Sequence, residues 1–356
     1  MKTTTKRLSF KGEELYIGID VHLRSWTVTV LSRNLVIKRF SQEADSDRLI
    51  RSLQCSYPEA KIKCVYEAGY CGFWLARALE SSGIECMVVN PADIPVSNKH
   101  KEQKTDKIDS KKLAEFLRAG ILKGIYIPSQ EVHEDRNLLR VRSQLVRNQA
   151  SIKCNIKASL AFYGIKIPEE QLSRYWANNY VEYLKTINFS RESGKEAFNA
   201  LIRHLEYLRK DLLNVTRKIR ELSRTEEYKN KVERLTSIPG IGLINAVTLL
   251  TEASNMERFS NTKKFRGYLG LIPKEHSSGE TINRSTISRR GNNRLKVIFI
   301  ESAWVAVRID PAMTMAYETL LRRMNKSRAI IRIAVKLASR ARHILLSNET
   351  YELSVA

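Results

Sequence analysis

Three short runs rich in Val, Ile, Thr and aromatic residues, 15–20, 26–31 and 35–40, follow one another with only a few polar residues between them. Breaks this short join neighbouring strands, so the three runs read as an antiparallel meander. The pattern then alternates: a helix at 47–53, a strand at 62–67, a helix at 73–82, a strand at 85–90 and a helix at 107–119. Together these make an α/β domain over residues 1–125.

From Glu134 the texture becomes long, charged and nearly free of glycine. Phe198, Leu201, Leu205, Leu208, Leu212, Val215, Ile219 and Leu222 recur at alternating spacings of three and four, as a helix with a continuous apolar seam requires. Leu138, Val141, Leu145 and Ile152 repeat the pattern more weakly upstream. Two arrangements satisfy such a seam, a hairpin within the chain or a coiled coil joining two subunits, because heptads specify a partner helix but not whose it is. The region 126–232 is therefore expected to be helical, and 233–356 to be a mainly α C-terminal domain. That domain has helical texture at 246–253, 263–268, 294–308 and 329–345, while 272–293, rich in Ser, Gly and charge, reads as a loop.

Charge narrows the function. Across 356 residues, 61 Lys and Arg against 38 Asp and Glu leave a formal charge of +23. The surplus is concentrated: residues 281–300 hold five basic residues and no acid, and residues 321–345 hold eight and no acid. A polyanion such as nucleic acid is the commonest partner for this pattern, with simple solubility as the plain alternative. No stretch approaches the roughly 18 uncharged apolar residues of a membrane span, and no signal-peptide pattern follows Met1, so a cytoplasmic protein is expected. Five cysteines without a C-x-x-C pair read as reduced thiols, not as a disulfide framework or zinc site.

Four carboxylates stand out. Asp20 and Glu67 each end an apolar strand, and Asp106 and Asp109 open a helix at i,i+3 spacing, which puts both on one helix face. Taken singly, these are ordinary turn, cap and dipole residues. Gathered at one sheet edge they repel one another unless hard cations such as Mg²⁺ bind there. Two such ions can stabilise the attacking and leaving oxygens of a phosphoryl displacement. An acid on the first strand of a meander, another on the fourth strand and further acids on a later helix is the layout of RNase H-like nucleases. His22, two residues after Asp20, is either a surface residue or a neighbour of the same edge.

A second candidate is Ser278, in the segment Pro273-Lys274-Glu275-His276-Ser277-Ser278-Gly279, followed by Arg284, Arg289 and Arg290. A Ser hydroxyl can join covalently to a scissile phosphate if its proton and the phosphate charge are managed nearby, although most Ser-Gly pairs are only turns. Ile238-Pro239-Gly240-Ile241-Gly242 is similar to the hairpin of helix-hairpin-helix modules, where N–H groups of Gly240 and Gly242 would grip a phosphate; an ordinary Pro-Gly turn is the alternative. Arg294 adds to the basic frame.

The blocks Tyr16-Ile17-Gly18-Ile19-Asp20-Val21-His22, Tyr66-Glu67-Ala68-Gly69 and Lys104-Thr105-Asp106-Lys107-Ile108-Asp109 resemble those of DEDD transposases, the insertion sequence one-hundred-ten family that includes the Piv-type DNA invertases. Ile238 to Gly242, Tyr268-Leu269-Gly270-Leu271-Ile272-Pro273, Ser277-Ser278-Gly279 and Ile287-Ser288-Arg289-Arg290-Gly291-Asn292 look like the same family's C-terminal signature, in the expected order. The helical middle matches only in character. The resemblance implies an RNase H-like (RuvC-like) N-terminal domain whose Asp20, Glu67, Asp106 and Asp109 bind Mg²⁺, and a C-terminal transposase domain whose Ser278 is the nucleophile. It also implies a homo-oligomer in which the acids of one subunit meet the serine of another. A structured non-coding guide RNA would choose donor and target DNA by base pairing. Two other readings of the residues remain: a RuvC-like endonuclease or junction resolvase that hydrolyses with water, and a non-catalytic nucleic-acid scaffold.

Overall fold

The computed structural model describes residues 10–95, 106–172, 175–278, 281–288 and 290–353. The chain divides into two compact units, residues 1–127 and 128–356.

In the first unit, β1 (Glu14–Val21), β2 (Ser25–Ser32) and β3 (Leu35–Glu43) form the meander. They are followed by α1 (Ser46–Ser56), β4 (Lys61–Glu67), α2 (Trp74–Ser81), β5 (Glu85–Val89) and α3 (Asp106–Arg118). The strands make one mixed sheet in the order β3-β2-β1-β4-β5, antiparallel across the meander and parallel from β1 to β4 and from β4 to β5. Parallel neighbours need crossover connections, which α1 and α2 supply.

Strand alternation sorts the residues onto two faces. Ile17, Ile19, Val28, Tyr66 and Val88 point to one face and are sealed there by Leu49 and Leu53 of α1 and Leu75 and Leu79 of α2. Gly18, Thr29, Val65 and Val89 belong to the other, which α3 covers with Ser110 and Leu113. A Cβ at position 18 would stand 1.9 Å from the Ser110 carbonyl oxygen, so glycine is what lets helix backbone touch strand backbone here. Beside that contact the buried hydroxyls of Thr29 and Ser110 share a hydrogen bond of 2.8 Å.

In the second unit, α4 (Gln130–Phe162) leads through α5 (Glu169–Leu172) and α6 (Asn178–Thr186) to α7 (Glu192–Leu222). The two long helices run antiparallel: Arg142 Nε donates to Thr216 Oγ1 at 3.1 Å near one end, and Leu160 shares a core with Phe198 near the other. Of the two arrangements open to the heptads, α7 adopts the hairpin within the chain. The seam also shifts in detail. Ile202, outside the heptad positions, is 1% exposed while Leu201 is only half-buried, because α6 packs Tyr180, Val181 and Leu184 into the same core and broadens the apolar face.

At the other end of the hairpin, Leu139 and Ile219 enter the large core of α8 (Lys229–Thr236), α9 (Leu243–Ala253), α10 (Thr262–Leu269), α11 (Asn293–Ile309), α12 (Pro311–Leu321) and α13 (Lys326–Ser347). The break that the sequence suggests near residue 232 thus lies inside one compact unit whose core runs through it. The reading of 272–293 as a loop is corrected. β6 (Pro273–Ser278) and β7 (Thr281–Ile287) pair antiparallel, in keeping with the β-branched residues Thr281, Ile282, Thr286 and Ile287, whose preference for extended backbone the Ser, Gly and charge content obscures. The sequence reading also passes over α12, whose start is marked by Asp310-Pro311: the Asp310 carboxylate accepts from the N–H groups of Ala312 and Met313 at 3.0 and 3.3 Å. No described helix is long and apolar enough to cross a membrane.

Candidate active site

In the parallel pair β1 and β4, Ile19 lies beside Tyr66, so Asp20, next to last in β1, follows level with Glu67 at the end of β4. Both share parity with Gly18 and Val65 and therefore belong to the face that α3 covers. The direction of α3 completes the row. Arg118, at its end, lines a cleft with Glu14 and Tyr16 at the start of β1, whereas Ser110 sits on Gly18. Its first turn is thus carried toward the Asp20 end. Asp109 precedes Leu113 by four residues and so extends the sheet-facing stripe of the helix, while the backbone of Asp106 lies in its first turn.

His22 does neighbour the first acid: its Nε2 is 3.2 Å from Asp20 Oδ2. Lys112 Nζ lies 3.9 Å from Asp109 Oδ1. Tyr70, which the sequence reading did not single out, is 64% exposed and donates its hydroxyl to the Val21 carbonyl at 3.1 Å, folding the β4–α2 connection against the end of β1. Burial first, then Cys71 and the Asp20 charge, push its phenol above the ordinary value.

Carboxylate oxygens from two strand ends and one helix turn are a hard donor set, which suits Mg²⁺ better than zinc or copper. The backbone placement of Asp20, Glu67, Asp106 and Asp109 is compatible with such an ion. Among the described residues no three His, Cys, Asp or Glu side chains gather into a metal-holding group, and the Asp106 side chain lies outside them.

The serine half belongs to the second unit. Ser278 ends β6 opposite Thr281, and Arg284 stands on β7 opposite Glu275; the side chains of Ser278 and Arg284 lie outside the described parts, as does the whole of Arg289. Arg290 is exposed, and its backbone N–H donates to Ser288 Oγ at 3.1 Å. The foot of this β-hairpin is a clasp between two of the blocks noted in the sequence. Asn292 N–H donates to the Tyr268 carbonyl at 2.7 Å and Lys296 Nζ to the Ser288 carbonyl at 2.8 Å. Gly270 and Gly291 have φ of +69° and +106°, and a Cβ on either would meet backbone of the opposite block at 2.3 or 2.6 Å.

Beneath the clasp lies Glu252, 2% exposed, which the sequence reading missed because an acid inside the apolar α9 looks like an interruption. Arg140 grips both carboxylate oxygens at 2.9 and 3.0 Å, and Asn292 Nδ2 donates at 2.9 Å. Arg294 and Arg136 stand 3.7 and 3.9 Å away, and Tyr268 donates its hydroxyl to the Glu252 carbonyl at 2.7 Å. Burial raises the Glu252 carboxyl, but Arg140, Asn292 and Arg136 outweigh it and hold the group below the ordinary carboxylate value.

The segment Ile238 to Gly242 is a turn between α8 and α9, with Ile238 and Ile241 buried. Gly240 has φ +88° and its Cβ would stand 2.2 Å from the Ser302 carbonyl oxygen, so this glycine seats the turn on α11. Gly242 is exposed at the N-terminus of α9.

Two family models match the chain: a DEDD transposase model over residues 17–165, which takes in the acid row, and the transposase IS116/IS110/IS902 family over residues 232–318, which takes in the Gly-rich turn, the serine hairpin and its clasp. The y4qE protein of Sinorhizobium fredii, named as a transposase, is 30% identical over 82% of this chain and 71% of its own length. The transposase for insertion sequence element IS1533 of Leptospira borgpetersenii is 29% identical over 70% of this chain and 72% of its own. That for IS1111A of Coxiella burnetii is 26% identical over 82% and 80%. With acid block, serine block and relatives in agreement along most of its length, the chain belongs to the IS110 family of insertion-sequence transposases.

Proposed function

We propose that this transposase exchanges DNA strands through a covalent link to Ser278, in a reaction that needs Mg²⁺ held by Asp20, Glu67, Asp106 and Asp109. The observation that carries the metal half is the common row: Asp20 next to last in β1 and Glu67 last in the adjacent parallel β4, on the face to which α3 brings its first turn. Bound there, Mg²⁺ would withdraw charge from the non-bridging oxygens of the scissile phosphate.

The chain's own groups do the rest. Ser278 Oγ attacks phosphorus, a phosphoserine diester forms as the P–O bond to the leaving strand breaks, and the serine proton ends on the departing hydroxyl. When the hydroxyl of the exchanged strand attacks in turn, its proton returns to Ser278 and the DNA diester is restored without outside energy. Arg284, Arg289 and Arg290 offset the charge that builds on phosphate during both steps. The exposed N-terminus of α9 at Gly242 offers N–H donors to a backbone phosphate, the seated Gly240 fixing the turn that presents them. In this reading the acids of one subunit serve the serine of another within a homo-oligomer. A structured guide RNA selects donor and target by pairing, and the reaction takes place in the cytoplasm on the chromosome of a bacterial or archaeal cell.

Strand exchange between donor and target DNA, with the RNA encoded beside the gene and Mg²⁺ supplied, tests this. Asp20→Asn and Ser278→Ala are each expected to lose exchange by at least about a thousandfold while retaining DNA binding. Exchange at the wild-type rate by Ser278→Ala would remove the serine from the mechanism.

A further inference from the structure

The cations around Glu252 exceed what one buried carboxylate requires. Arg136 is turned inward, 11% exposed, and donates to the Thr251 carbonyl at 2.9 Å and to Ser254 Oγ at 3.1 Å. Arg140 holds Glu252 through Nε and Nη2, which leaves its Nη1 donors to other acceptors, and 44% of its side chain is accessible. Arg294 is 32% accessible. Arg147 is exposed, seven residues beyond Arg140 and hence on the same face of α4. Burial first and then the charge of Arg140 depress the Arg294 guanidinium below its ordinary value; Glu252 opposes them, and Arg147 adds to the depression. Arg147 is thus close enough to Arg294 to be felt there. Glu252 offsets one of these four positive charges and leaves three, and Arg136, Arg140 and Arg294 stand around the same carboxylate that Asn292 of the clasp holds.

We infer that Arg140, Arg147 and Arg294 form a phosphate-binding patch for a nucleic-acid strand at the foot of the serine hairpin, with Glu252 holding Arg140 and Arg294 in place. The inference rests on the proposed function in taking the ligand to be a nucleic acid. Guanidinium groups match phosphate oxygens in pairs, and a guanidinium already fixed on one edge by a carboxylate loses little freedom when a phosphate arrives on another. The patch joins a helix of the long hairpin to the segment that carries the serine. A strand gripped there would be registered against both.

The test is binding, measured by fluorescence anisotropy on the full chain with a DNA duplex and, separately, an RNA hairpin as probes, over roughly 50 to 300 mM salt. Arg147→Gln and Arg294→Gln are each expected to flatten the plot of log affinity against log salt by about 0.9 for the duplex, the loss of one phosphate contact. Arg203→Gln, whose guanidinium is paired with Glu196, should leave the slope alone. Flattening with DNA alone assigns the patch to DNA backbone, and flattening with RNA alone assigns it to the guide RNA. Unchanged slopes for both variants with both probes overturn the inference. Arg147 is exposed on α4, so its variant remains informative even if Arg294→Gln fails to fold. The readout is independent of serine chemistry, and so it stands or falls apart from the strand-exchange result.

Discussion

Glu252 shows how much of a site one residue can organise without any mark in the local sequence. Its partners Arg140 and Asn292 are 112 and 40 positions away, so no spacing pattern announces them. The acids on β1 and β4 are different: the position of Asp20 and Glu67 at the tail of apolar strands was legible because it is local information. Replacing Glu252 by Gln leaves Arg140 and Arg136 without their counter-charge, and the second unit should lose about 3 kcal/mol of stability, read as a lower urea midpoint at unchanged slope. The pH dependence follows from the direction of the shift. A carboxyl held below its ordinary 4.5 in the folded state adds stability that is present above that value and is lost as pH falls through the lowered one. The gap between wild type and Glu252→Gln should therefore be full at neutral pH and narrow as pH falls below the ordinary carboxylate range. A gap that widens in acid would contradict the assignment of charge.

At the scale of elements, the sheet and the helix over it decide where the acids sit. Strand alternation and short breaks were enough to foresee β1 to β5 and the run into α3. The β6–β7 hairpin was not foreseen, because its β-branched residues are diluted by Ser, Gly and Arg, and composition outweighed alternation. Nor does the sequence alone reveal that α3 rests on Gly18 at backbone distance. Adding one methyl there, Gly18→Ala, forces α3 off the sheet and should cost about 2 kcal/mol or more. It should also abolish cleavage, since Asp106 and Asp109 ride on the displaced helix. Calorimetric melting and a cleavage assay on the same preparation check both effects. Full activity in that variant would mean that α3 does not need to lie against β1 for the site to work. Ser110→Ala is a milder probe: it leaves the Thr29 hydroxyl buried without its partner, at a cost of about 1 to 2 kcal/mol.

For the whole molecule, the acid row belongs to one compact unit and the serine hairpin to another, within a chain of formal charge +23. The positive charge was plain in composition and fits a transposase, which must hold DNA. Heptads signalled a long helix that needs a partner, and α4 supplies one within the chain, so the proposed pairing of subunits must be tested by function. If acids and serine act in trans within a symmetric dimer, mixing Asp20→Asn with Ser278→Ala protein restores about a quarter of the sites, and none if they act in cis. Covalent attachment is read by trapping the reaction of wild-type protein on end-labelled DNA with Mg²⁺ and mapping any protein–DNA adduct by peptide mass spectrometry. A nucleotide attached at Ser278, absent from Asp20→Asn and from Ser278→Ala, is the expected result. Cleaved DNA with free ends and no attached protein would contradict it and make the chain a hydrolytic nuclease.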